Sequence, residues 1–105
     1  MADTQQVAFR MIAASGAARG MYVEAVHLAE EGKFDEAQAK LDEGEKVYVE
    51  GHKAHAELLT AMANGEQIVM DILMVHAEDQ MMATETYRMC ADEIIALCHR
   101  LAEKY

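Results

Sequence analysis

Apolar residues recur at intervals of three and four along almost the whole chain, the spacing that stacks side chains on one face of an α-helix. Met11, Ala14, Ala18, Met21, Ala25 and Leu28 form one such series. Phe34, Ala37, Leu41, Gly44, Tyr48, Gly51, His55, Leu58 and Met62 form a second. A third begins in "DILMVHAEDQMMA" with Ile72, Val75, Met82 and Met89, and beside it runs Leu73, His76, Ala83, Tyr87, Cys90, Ile94, Leu97 and Leu101. The rhythm breaks at "EEGKFDEA" and "ANGEQ", where a glycine reads as a helix C-cap and acidic residues open the next helix. These signals predict helices over roughly 4–31, 34–63 and 66–103, within one domain spanning residues 1–105. Short joints between long helices make neighbours antiparallel, so the predicted fold is all-α, an antiparallel up-down-up three-helix bundle.

The third helix has two apolar stripes, more than two partner helices cover, which predicts a homo-oligomer with this helix near its centre. Asp79 interrupts the first stripe, and a carboxylate in an apolar seam is costly unless it is paired. Two readings stand. In a symmetric oligomer, converging Asp79 side chains would hold a hard divalent cation such as magnesium; alternatively Asp79 lies at the edge of the seam and caps, pairs or reaches water. His76, one turn earlier, is either a packing residue or an imidazole with a free ring nitrogen able to attack a phosphoryl group. Gly16 and Gly20 in "SGAARG" stand one turn apart, and tight helix packing is the expected reason for them.

Composition narrows the choice of function. Proline and tryptophan are absent and good helix formers dominate, in keeping with the periodicity. A formal charge of −10 argues against nucleic acid and anionic lipid as partners. The start "MADTQQVAFRM" lacks a basic segment followed by an apolar block, and no apolar run reaches membrane-spanning length, so a cytoplasmic protein without membrane insertion is expected. Cys90 and Cys98, eight residues apart on one helix, are expected to be reduced, buried thiols. His52 and His55 in "GHKAH" read mainly as surface or packing residues, with a transition-metal site using nearby glutamates as the weaker reading, and His52 is the one expected to approach the third helix. The acidic runs read as solvated faces with pairs such as Glu36 to Lys40 and Asp42 to Lys46. No glycine-rich phosphate loop, HExxH motif or Ser/His/Asp set is present.

The segment "MVHAEDQMMAT" resembles the H-[AG]-Q-D-H-L-M-T segment of the IIA components of the lactose/cellobiose/chitobiose class of the sugar phosphotransferase system. "IAASGAARG" is similar to that family's G-x-A-R segment, "EEGKFDEAQAKL" to its G-D-F-x-x-A turn, and "EGHKAH" to its E-A-H segment. The resemblance implies a three-helix subunit assembled as a homotrimer of nine helices. It further implies a phosphocarrier between the histidine phosphocarrier protein and the cysteine of a IIB component, with only peripheral membrane association through the sugar permease. By position, His76 would be the phosphorylated histidine and Asp79 the carboxylate meeting its symmetry mates around Mg2+ on the trimer axis. Arg19 matches the arginine of G-x-A-R, where holding a phosphate competes with a surface salt bridge. Two departures stand out: Glu78 replaces the family's glutamine and Gln80 its second histidine. A carboxylate near an incoming phosphoryl group repels it. The competing expectation is therefore a non-catalytic oligomeric helical interaction module.

Overall fold

Both predicted joints form as the glycines suggest. Helix α1 spans Thr4–Glu30 and α2 spans Phe34–Ala63; α3 spans Ile72–Lys104. At the end of α1 the Lys33 N–H donates to the Leu28 carbonyl and the Gly32 N–H to the Ala29 carbonyl; at the end of α2, Glu66 and Gly65 donate in the same way to Ala61 and Met62. Each is a Schellman motif, and each places glycine at its left-handed position, with φ of +80° at Gly32 and +86° at Gly65. Asp35 and Glu36 in the first turn of α2 complement its dipole. The computed structural model describes residues 3–105, so of the expected 1–105 span only Met1 and Ala2 lie outside the described residues.

α3 begins six residues later than the predicted 66. Asp71 adopts an extended backbone and accepts the Met74 N–H at 2.9 Å, a capping bond that sets the start at Ile72. Residues 64–71 instead form a connection in which Ile68 packs against the core.

The three helices make an up-down-up bundle with extents of 57 × 19 × 19 Å. Arg10 reaches Glu57 and Tyr22 reaches Glu45, so α1 and α2 are antiparallel; Glu45 to Arg88 and His55 to Glu78 make α2 and α3 antiparallel as well. α1 packs closely on both other helices. Its buried residues explain this, being mostly small: Ala8, Ala14, Ser15, Ala18, Ala25 and Ala29 beside Val7, Met11, Tyr22 and Val26. Thr84 donates to the Ser15 carbonyl at 3.0 Å, tying α3 to α1 in the buried interior.

The close-approach glycines are on α2, and the expectation for Gly16 and Gly20 fails. A Cβ at Gly44 would fall 2.6 Å from Tyr22 Cε1, and one at Gly51 would fall 3.3 Å from the Ala14 Cβ, whereas a Cβ at Gly16 or Gly20 would meet no atom within 4 Å.

The inward stripe of α3 is also not one of the two that the sequence suggests. Met74, Ala77, Met81, Thr84 and Ala91 are buried, again at three-four spacing. Ile72, Val75, Met82 and Met89 are instead 89%, 51%, 67% and 63% exposed, and Ile94, Leu97 and Leu101 of the second stripe are exposed too. Cys90 is exposed and Cys98 half-buried, both as free thiols, so neither is the buried cysteine expected. Lys40 pairs with Glu24 and Glu43 rather than Glu36, and Asp42 accepts from Gln38 rather than pairing with Lys46, because these side chains reach the nearest partner on α1 or within their own helix. Among the described residues, no helix is long and apolar enough to cross a membrane.

Gly44→Ala is expected to destabilise the protein by about 1–3 kcal/mol, because the Tyr22 ring is buried, bonded to Glu45 and covered by Arg88 and has no room to yield. Gly20→Ala is expected to gain up to about 1 kcal/mol from helix propensity. Urea unfolding of both variants beside the wild type checks the pair, and equal effects would refute the packing account.

Candidate functional site

His76 lies one turn into α3. Its imidazole is exposed and, among the described residues, makes no hydrogen bond, ion pair or ring contact. This sets it apart from three other histidines. His99 stacks on Phe34 with ring centroids 3.8 Å apart, His52 meets Tyr48 edge-on and lies 3.5 Å from Glu85, and His55 Nε2 lies 2.9 Å from Glu78 Oε1. An imidazole with an uncommitted ring nitrogen in water can act as a nucleophile. The first turn of α3 carries no acidic side chain, so the positive end of the helix dipole near His76 is offset only at the Asp71 cap.

Asp79, one turn further, is exposed and likewise makes no hydrogen bond or ion pair among the described residues. It lines a shallow surface depression with Met82, Ala83, Thr86, Tyr87 and Cys90. Within one chain, then, Asp79 is not buried. It stands in the outward apolar stripe of α3, between Val75 and Met82.

Both residues that depart from the family segment are held by other helices. Glu78 is half-buried against His55, and Gln80 accepts a hydrogen bond from Arg19 Nη1 at 2.8 Å. Both α2 histidines thus reach α3 carboxylates, not His52 alone. Among the described residues, no group of three or more His, Cys, Asp or Glu side chains could hold a metal ion, so His52 and His55 do not form the small-bundle metal site. Arg19 bonds an amide rather than the carboxylate of a salt bridge.

Further along α3, a cavity of about 210 Å3 is lined by Tyr22, Glu45, Tyr48, His52, Thr84, Glu85 and Arg88. Sequence reasoning did not single it out. Its polar groups bond one another: the Tyr22 hydroxyl donates to Glu45, the Tyr48 hydroxyl lies 2.7 Å from Glu85 Oε1 and 3.0 Å from the Met81 carbonyl, and Arg88 donates to Glu45 and Asp92. A network satisfied from within reads as a tie between α2 and α3, not a binding site in need of a ligand. Burial, the bond to Glu85 and that carboxylate's charge push the Tyr48 phenol well above its ordinary value, and burial pushes Tyr22 up too.

The family model described as "PTS system, Lactose/Cellobiose specific IIA subunit" matches residues 6–99. The chain belongs to this family. It is 35% identical to the galactose-specific EIIA component of Lactococcus lactis subsp. cremoris, over 94% of this chain and 85% of that protein. It is 33% identical to the lichenan-specific phosphotransferase enzyme IIA component of Bacillus subtilis, over 97% of this chain and 93% of that one. The crystal structure of the cellobiose-specific enzyme IIA from Bacillus anthracis superposes with a TM-score of 0.94 at 32% identity, covering 100% of this chain and 96% of that chain. The three names carry three different sugars. This IIA component is therefore of the lactose/cellobiose class, and its all-helical fold is that of the class.

Because the Tyr48 and Tyr22 phenols lie above the ordinary value near 10 in the folded chain, the folded state keeps these protons longer than the unfolded one. Their contribution to stability is complete below pH 10 and is lost as pH rises beyond it, by at most about 1.4 kcal/mol per pH unit for each tyrosine. Tyr48→Phe is expected to lose about 1 kcal/mol at pH 7 and to show a shallower decline between pH 9 and 11. Urea unfolding across that range checks both; an unchanged slope would remove Tyr48 from the account.

Proposed function

We propose that this IIA component is a phosphocarrier: His76 accepts a phosphoryl group from the phosphorylated histidine phosphocarrier protein and passes it to the cysteine of a cellobiose/lactose/chitobiose-type IIB component during sugar uptake. The observation that carries the reading is an exposed, uncommitted His76 on α3 of a chain whose family acts in phosphotransfer. In the first step a ring nitrogen of His76 attacks phosphorus as the donor's N–P bond breaks and its imidazole leaves. In the second step the acceptor's cysteine thiolate attacks, and the His76 N–P bond breaks. The transition state asks for position and charge stabilisation more than for covalent help. Because helical side chains lean toward the N-terminus, a phosphoryl group on His76 sits over the first turn of α3, where the dipole favours an anion by about 0.3–1 kcal/mol.

Exposed Val69 and Met70 give the His76 end of the bundle an apolar surface, with Leu59 and Met62 of α2 at the same end. Met62 and Met70 are exposed at this end, and their flexible side chains suit a surface that meets two different partners. Both partners and this component would act in the cytoplasm, with membrane contact only through the permease.

A homotrimer follows from the same reading. The outward stripe of Ile72, Val75, Met82 and Met89 is the kind of face a second and third copy would cover, giving nine helices. Asp79 fits a divalent cation on the axis, since it is a hard oxygen donor and makes no bond among the described residues. Bound there, Mg2+ would supply charge neutralisation to converging carboxylates. The interaction-module reading drew on Glu78 and Gln80, and the contacts with His55 and Arg19 give both residues packing roles that leave His76 free.

His76→Ala is expected to take up no phosphoryl group from phosphoenolpyruvate, enzyme I and the histidine phosphocarrier protein while remaining a helical oligomer. Intact-mass spectrometry at mildly alkaline pH detects the adduct, which in the wild type is lost on acidification. An adduct in the variant would sink the assignment, and none in the wild type would put the interaction module in its place.

Wild-type protein is expected to sediment as a trimer whose thermal midpoint rises with Mg2+ and falls with a chelator. Asp79→Asn is expected to lose that metal response without necessarily dissociating, because amides remove the mutual repulsion as well as the ligand. A full metal response in Asp79→Asn would relocate the ion.

A further inference from the structure

We propose that Arg19 is the phosphoryl-binding cation of the His76 site, held on Gln80 until the phosphoryl group arrives. The inference rests on the reading of His76 as phosphoryl acceptor. Gln80 follows His76 by four residues, so the two side chains are neighbours on one face of α3, their Cβ atoms about 5–6 Å apart. Gln80 leans back toward the turn that carries His76, and its amide oxygen holds Arg19 Nη1 at 2.8 Å. This contact brings a guanidinium from α1 to the proposed phosphorylation site.

The choice of partner matters. Arg10 and Arg88 both rest on carboxylates. Among the described residues, no carboxylate lies within ion-pair distance of Arg19, although the chain carries a formal charge of −10. A bond from guanidinium to a neutral amide is weaker than one to an anion, so Gln80 keeps Arg19 in place without neutralising it. The fork of N–H donors is left with capacity for a second acceptor, and its planar geometry matches two phosphoryl oxygens.

Phosphorylation brings about two negative charges to this face of α3. Glu78 is engaged by His55, whose charge depends on its own protonation, so it gives no dependable compensation. Arg19 is the permanent cation that the fold brings to that face. The ground beside it is open as well: a Cβ at Gly16, one turn before Arg19, or at Gly20 would meet nothing within 4 Å.

The test uses the full-length chain, with phosphorylation by phosphoenolpyruvate, enzyme I and the histidine phosphocarrier protein, followed by rapid-quench mass spectrometry and by 31P resonance against pH. Arg19→Gln is expected to slow phosphorylation about ten- to a hundredfold and to raise the pH midpoint of the phosphoryl resonance, since a nearby cation favours the dianion. Gln80→Ala removes the resting contact but not the cation, so its thermal midpoint falls while the phosphoryl midpoint stays near that of the wild type. A midpoint raised equally in both variants would assign the effect to packing and overturn the proposal, as would a wild-type rate and midpoint in Arg19→Gln. If Arg19→Gln does not fold, Arg19→Lys serves: it keeps the charge but not the planar fork, so a rate roughly two- to tenfold below wild type is expected and an undiminished rate overturns the proposal. A wild-type chain that takes up no phosphoryl group from a competent donor overturns the phosphocarrier reading itself, an outcome distinct from the variant comparisons.

Discussion

The close approach of α1 to both of its neighbours governs the rest of the structure. Alanines and Ser15 on α1, met by Gly44 and Gly51 on α2, bring backbones near enough that the bundle is only 19 Å across. So thin a layer has room for few large side chains: the largest that are fully buried are Tyr22, Met11, Met74, Thr84 and Ser15. With little apolar volume between them, α2 and α3 are joined largely by long polar side chains. The Tyr48 hydroxyl on Met81 and Glu85, His55 on Glu78 and Arg88 on Glu45 set their register. Each such tie is individually weak where it is exposed, but Tyr48 is buried and couples α2 to the backbone of α3 directly.

A narrow bundle has a further consequence for α3. The stripe of α3 buried against α1 and α2 runs from Met74 through Ala91 and mixes Ala77, Thr84 and Ala91 with Met74 and Met81, while Leu73, Tyr87 and Ile95 are partly buried at its edges. The larger apolar residues, Ile72, Val75, Met82, Met89, Leu97 and Leu101, remain outside. A chain that buries Ala77 and Thr84 while exposing Ile72 and Met82 has a hydrophobic pattern that one copy does not satisfy. The most hydrophobic face of α3 is thus available for contacts beyond the single chain.

This explains which parts of the fold were legible in the sequence. The number of helices, their order and both turns could be read from local signals, because a glycine at a Schellman position followed by acidic residues needs no tertiary context. The inward face of α3 could not. Its buried stripe mixes small residues, Ala77, Thr84 and Ala91, with Met74 and Met81, so hydrophobicity along the helix does not single it out. The start of α3 was placed too early for a different reason: an acid after a glycine reads as a helix opening at Glu66, but the Asp71 side chain accepts the Met74 N–H and caps the helix at Ile72. His76 and Asp79 stood out as polar residues in apolar stripes, and both are exposed, without partners among the described residues. The partners of Glu78 and Gln80 were not legible, since 55 meeting 78 and 19 meeting 80 depend on helix register, which no local pattern encodes.

Those two contacts change how the departures from the family segment bear on chemistry. Taken along α3 alone, a carboxylate at position 78 adds repulsion beside His76 and a glutamine at position 80 removes a titratable group. Across the bundle, Glu78 is bonded to His55 and Gln80 to Arg19, so the same two positions anchor a histidine from α2 and a guanidinium from α1 against α3. When His55 is protonated, the Glu78 carboxylate is matched by an opposite charge at 2.9 Å; when it is neutral, one of its ring nitrogens can still donate to Glu78. Repulsion at His76 is therefore weaker than the sequence of α3 implies. With His76 as the proposed acceptor, the charge around its phosphoryl group would depend on α1 as well as α3, and so on the small-residue packing of α1 that holds them in register.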